Sequence, residues 1–151
     1  MLSDSVNDLP VGQAVYAIDA FPDDDLLWRR VPDSPSFLAF DGKLGHHRVA
    51  SSAFDDDRDD DPMSVFVARA TSLAIVLHGH EGFGVVAFSA GFARSHGQIV
   101  YFSPDDGPQG HAKVAGPKSG GVRRAFARVA RWIRRPPIYD KASLPDPERD
   151  A

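Results

Sequence analysis

The chain has 151 residues, enough for one domain with a hydrophobic core of its own, and it contains no cysteine. That excludes disulfides, cysteine-ligated zinc, iron–sulfur clusters and thiol catalysis. A net charge of −4 conceals a polarised chain: residues 1–62 carry 14 Asp against 5 Lys or Arg, a net −9, and residues 63–151 carry a net +5.

In chain order, the opening "MLSDSVNDLP" lacks the basic and apolar regions of a signal peptide. "QAVYAIDAF" and "LLWRRVP" are predicted as β-rich segments on either side of the turn "PDDD", the second closed by Pro32. "SFLAF" leads into Asp41-Gly42, a hairpin signal. The acidic run Asp55–Asp61 follows, predicted as a loose, solvated loop. "MSVFVARA" alternates as a strand with one buried face, and "FGVVAFS" reads as a buried strand. "SAGFARSHG" predicts a short helix capped by Ser89 and ended by Gly97. "QIVYFSP" and "HAKVAG" are two further strands.

The last helix is predicted over 122–135. Val122, Phe126, Val129 and Ile133 share one face, and Arg124, Arg128, Arg131 and Arg135 repeat on the opposite face. Pro136 and Pro137 are expected to stop it, and 136–151 is expected to be an extended or disordered tail. Strands and helices mix without βαβ alternation, so the expected fold is a single α+β domain over 1–135. An antiparallel or mixed sheet would pack on the C-terminal amphipathic helix.

At "LWRRVP", "SSAF…PMSVFVA", "GVVAFSAGFARSHGQ" and "HAKVAGPK" the chain resembles a family of small bacterial proteins, over about residues 26–135. The resemblance implies that Arg29, Arg30, Ser51, Ser52, Phe54, Ser64 and His111 are family features, and it carries no activity with it. In the acidic run the chain departs from the family's short loop, which argues against a fixed metal geometry there.

Several places could carry chemistry. The alternating aspartates fail as an EF-hand, because Asp60 and Phe66 stand where glycine and glutamate are required. The six histidines match no metal-ligand spacing, so no metal is expected. No G-x-G-x-x-G or G-x-S-x-G is present, and no cofactor is expected. His111, with Asp105 or Asp106 to orient it and Ser52 as a hydroxyl, supplies the parts of an acid–base arrangement beside Arg30. Lys118, Ser119, Gly120 and Arg123 stand at a helix N-terminus, where an anion would be favoured.

The leading expectation is a cytoplasmic, non-enzymatic module. Its acidic loop (55–61) and arginine stripe (Arg124, Arg128, Arg131, Arg135) would touch a charged protein partner. A pI of 5.8 ranks nucleic acid below protein, and membrane lower still. The alternative is a small enzyme acting on a phosphate-bearing or nucleotide-like substrate.

Overall fold

The computed structural model describes residues 22–142; the strand expected over 13–21 lies outside them. Strand β1 (Leu26–Val31) is followed by a hairpin of β2 (Leu38–Asp41) and β3 (His46–Val49), then by β4 (Met63–Val67) and α1 (Leu73–Val76). Next come β5 (Gly84–Ser89), α2 (Ala90–Ser95), β6 (Ile99–Phe102) and β7 (His111–Ala115). The described chain closes with α3 (Gly120–Val129), β8 (Arg131–Arg134) and α4 (Pro137–Ala142). Six strands form one sheet in the order β6-β7-β4-β1-β5-β8, every pair antiparallel, and β2–β3 forms a separate ribbon. The fold is α+β, as the sequence predicts.

Strand parity divides the sheet into two faces. Leu27, Val31, Met63, Val65, Val86, Phe88, Ala112 and Val114 turn to one side and meet Phe126 and Ala127 of α3. There Phe126 stacks on Phe54 at 5.6 Å between ring centroids and lies 4.8 Å from Phe88. The opposite parity sends Phe66 and Val85 to a smaller cluster with Val76 and Leu77, roofed by the one-turn α1. That roof covers only part of the second face, where polar side chains also stand among apolar ones.

Local signals hold where the chemistry is local. Ser89 accepts the Phe92 amide at 3.0 Å and caps α2, and Gly97 takes φ +78°, which favours glycine after a helix end. The C-terminal region departs from expectation. The helix ends at Val129, because Ala130 is extended and Arg131–Arg134 pairs with the open edge of β5. Main-chain hydrogen bonds from a neighbouring strand override the 3.6-residue period. Arg131 and Arg135 therefore leave the helix, and Ile133 is exposed.

Nor is the chain extended from Pro137 to Ala142; the rest of the expected tail lies outside the described residues. Pro137 opens α4, Asp33 accepts the Ile138 amide at 2.8 Å, and Tyr139 is buried against Trp132. The folded unit thus runs past 135.

Candidate functional site

Strands β1 and β4 pair only at Leu27↔Val67 and Trp28↔Phe66, although β1 runs on to Val31 and β4 starts at Met63. Beyond Trp28 the two strands part. The Arg29 guanidinium fills the opening, donating from Nε to the Ala53 carbonyl (3.0 Å) and from Nη1 to the Ser64 carbonyl (2.8 Å). Nη1 also reaches Asp57 at 3.3 Å. Burial pulls the Arg29 pKa down, and the carboxylates of Asp57, Asp55 and Asp56 oppose that pull. Main-chain carbonyls that would otherwise lie unpaired at the splay are satisfied by this one side chain.

A cleft of about 320 Å³ opens there, lined by Arg30, Ser52, Ser64 and His80 among polar groups and by Phe37, Phe66 and Phe83 among apolar ones. The register explains the convergence. Phe66 stands opposite His111 and Ser64 opposite Lys113, while Trp28 stands opposite Phe66. Ser64, His111, Lys113 and Arg30 therefore share the second face.

Ser64 is the centre of this group. Its hydroxyl lies 3.0 Å from Nε2 of His111 and 3.0 Å from Nζ of Lys113, and it donates to Asp57 Oδ2 at 2.5 Å. His111 is 4% exposed, and its Nδ1 meets the Ser103 carbonyl at 2.8 Å. A carbonyl only accepts, so Nδ1 carries a proton, and in the neutral ring Nε2 is an acceptor aimed at the hydroxyl. The single hydroxyl proton thus has two acceptors, Asp57 and His111, while Lys113 donates to the oxygen.

Lys113 is buried as well, bonded to Asp61 (2.7 Å), Asp57 (3.2 Å) and the Pro62 carbonyl (3.1 Å). Burial alone would lower its pKa, but Asp61 and Asp57 hold it above the ordinary lysine value. Burial likewise pushes Asp57 up, and the Ser64 hydroxyl, Arg29 and Lys113 more than reverse it.

Arg30 differs from Arg29 in having no carboxylate partner among the described residues. Its Nη1 donates to the Val76 carbonyl at 3.2 Å and to Nδ1 of His80 at 2.8 Å, and its guanidinium lies over the Phe66 ring at 5.0 Å. The same Nδ1 lies 3.1 Å from the His78 carbonyl, so it stands between a donor and an acceptor. Burial, followed by the nearby Arg29 charge, lowers the Arg30 pKa. The Asp57 carboxylate, which lines the same cleft, opposes that pull without pairing directly with Arg30, so a half-buried guanidinium still faces the cleft.

The other predicted sites resolve differently. Ser52 lines the cleft, but its hydroxyl donates to the Ser36 carbonyl at 2.9 Å; the hydroxyl that meets His111 belongs to Ser64. Lys118, expected to hold an anion, turns back onto the carbonyls of Val114 (2.9 Å) and Gly116 (3.1 Å) and pairs with Asp56 at 3.0 Å. Ser119 accepts the Val122 amide as a cap, and Arg123 pairs with Asp55 at 3.2 Å. Arg124 folds back over Gly120, to within 3.1 Å of where a Cβ would stand. Lys118, Ser119 and Arg123 are thus engaged by the chain's own atoms.

The acidic loop is likewise directed inward. Asp55, Asp56, Asp57 and Asp61 each pair with a cation of the same molecule, namely Arg123, Lys118, Arg29 with Lys113, and Lys113 with Arg58. Asp56 and Asp57 also accept the amides of Met63 (3.2 Å) and Ser64 (3.3 Å). The loop is a clasp across the start of β4, not a loose turn. Its internal pairs do not include Arg124, Arg128, Arg131 or Arg135. Among the described residues no three of His, Asp and Glu gather as metal ligands, and no helix is long and apolar enough to cross a membrane.

Asp57, Lys113 and His80 were missed as site residues. The readable signal was the parity shared by "MSVF" and "HAK", which puts Ser64, His111 and Lys113 on one face once those strands pair. Comparison with protein-family models, with curated proteins and with solved structures finds no match for this chain.

Proposed function

We propose that the protein is a small enzyme acting on a phosphate-bearing substrate, with Ser64 as nucleophile, His111 as its base and Arg30 as the anchor for the anion. The observation that carries this reading is the Ser64 hydroxyl, within hydrogen-bond reach of His111 and Lys113, beside a cleft in which Arg30 forms no ion pair among the described residues. A serine hydroxyl becomes a useful nucleophile when an adjacent base takes its proton and a third group orients that base. Here the Ser103 carbonyl is the orienting group.

In the proposed step, the Ser64 proton passes to His111 Nε2 as the Oγ–P bond forms. The bond from phosphorus to the leaving oxygen breaks, and that oxygen takes the proton from His111. Water then cleaves the Ser64 phosphoester with His111 again as base. Lys113 and Arg29 stabilise the negative charge on the attacking oxygen and the transferring group. Arg29, Arg30, Ser52 and Ser64 line this cleft, and His111 adjoins it through Ser64.

The expected non-enzymatic module loses one of its two contact surfaces, because four loop aspartates pair within the molecule. The test is turnover of a panel of phosphate monoesters, from p-nitrophenyl phosphate to nucleoside monophosphates. At least one should be hydrolysed, with Ser64→Ala lowering kcat by about a hundredfold or more and Arg30→Ala raising KM. Turnover indifferent to Ser64→Ala, or no turnover of any ester, defeats the proposal.

A further inference from the structure

A second concavity, about 500 Å³, lies between the β2–β3 ribbon and the chain from the end of α3 through β8. It gathers three of the four stripe arginines, Arg128, Arg131 and Arg135, although only Arg128 remains on the helix. The break at Ala130 brings them to one wall and Lys43 of the hairpin turn stands on the other. None of these four cations has an ion-pair partner among the described residues. The one carboxylate in the groove, Asp41, faces Arg48 at 3.7 Å and accepts the turn amides of Lys43 and Leu44. Between the charges lie Leu44, Val129 and Trp132, with Leu44 61% exposed.

We infer that this groove binds single-stranded nucleic acid, with phosphates on Lys43, Arg128, Arg131 and Arg135 and bases against Leu44, Val129 and Trp132. A row of uncompensated arginines beside apolar and aromatic surface matches a strand that presents phosphates on one side and unstacked bases on the other. An acidic peptide would bring carboxylates to the same cations but no flat apolar faces to cover the floor.

The acidic pI argued against such a ligand only when charge was summed over the chain. Asp55, Asp56, Asp57 and Asp61 pair with Arg123, Lys118, Arg29 and Lys113, so these eight charges cancel locally; the chain's net −4 is unchanged by this but is a sum over the chain and does not describe the groove. Screening over about 10 Å at ordinary salt leaves the local field to the groove's own charges.

The probes are fluorescein-labelled oligothymidylate and oligouridylate of about twelve nucleotides, followed by anisotropy at a series of salt concentrations. With four phosphates engaged, the log–log salt slope should be about −2.8, an affinity loss of about fiftyfold between 50 and 200 mM salt. Arg128→Gln/Arg131→Gln/Arg135→Gln should reduce that slope to about −0.7 and weaken binding at least about tenfold. Lys43→Gln, on an exposed turn and so without risk to the core, should lower the slope by about 0.7. Arg69→Gln/Arg94→Gln, which removes two arginines that pair with Asp25 and Asp23 outside the groove, should change neither figure. No binding at low salt, binding indifferent to both groove variants, or displacement by polyglutamate at equal charge concentration would overturn the inference.

Discussion

The Ser64 hydroxyl and Nε2 of His111 meet at 3.0 Å across two paired strands and 47 residues of chain. The contact is a diagonal of the antiparallel ladder, set by the register Ser64↔Lys113 and Phe66↔His111. The imidazole is held edge-on to Phe66, with centroids 5.6 Å apart. Gly107 closes over its other side: a Cβ there would stand 2.8 Å from His111 Cγ. Gly107→Ala should therefore displace the ring and separate it from Ser64. The expected outcome is an altered His111 resonance in NMR spectra, with loss of Ser64 reactivity and little change in the remaining shifts. An unchanged His111 signal would show that the loop yields instead.

Lys113 should be the costliest charge to remove. It is 4% exposed and holds Asp57 and Asp61 together, so Lys113→Met leaves two carboxylates facing each other without their shared cation. Breaking a buried pair costs about 3–5 kcal/mol, less here because the aspartates are partly solvated; about 2 kcal/mol is expected. Arg123→Ala, which removes a far more exposed pair with Asp55, should cost under about 1 kcal/mol. Urea unfolding at neutral pH measures both. Equal losses would contradict the account.

The same cluster sets the acid limb of stability. Asp57 and Asp61 titrate below ordinary carboxylates in the folded state, so their contribution is complete above the unfolded value of about 3.9 and is lost as pH falls through their folded values. Lys113 is raised, so its contribution is complete below the unfolded lysine value of about 10.4 and is lost only as pH climbs through the folded one. The urea midpoint should be flat through neutrality and fall below about pH 4. Asp57→Asn should flatten that fall. A midpoint that rises on acidification would refute the assignment.

Tyr139 tests the C-terminal boundary. It is 4% exposed and touches Trp132 and His47, so truncation after Arg135 removes a buried aromatic. Both that truncation and Tyr139→Ala should destabilise, by about 2–4 kcal/mol. Unchanged thermal unfolding of the truncated chain would mean that α4 adds nothing to the core.

The strands were legible because strand-forming composition is local: "HAKVAG" falls on β7, whereas "MSVFVARA" is a strand only as far as Val67 and is buried on both faces rather than one. Ser89 and Gly97 were legible for the same reason, since a cap involves neighbours within a few residues. The end of α3 was not, because β8 depends on the unpaired edge of β5, some 45 residues away in sequence. The acidic run looked like a solvated loop since nothing in "DDDRDDD" reveals that Arg29, Lys113, Lys118 and Arg123 converge on it. Of the site, His111 and Arg30 could be picked out by type and place, whereas choosing Ser64 over Ser52 required the register of β4 on β7.

The most direct measurement is covalent labelling with a fluorophosphonate, followed by peptide mass spectrometry. Attack by Ser64 forms the Oγ–P bond, fluoride leaves and the hydroxyl proton goes to His111. The account predicts one adduct, on Ser64, with labelling slowed about a hundredfold or more in His111→Ala and abolished in Ser64→Ala. A chain that remains unlabelled, or one labelled on Ser52 and other serines as readily as on Ser64, would contradict it.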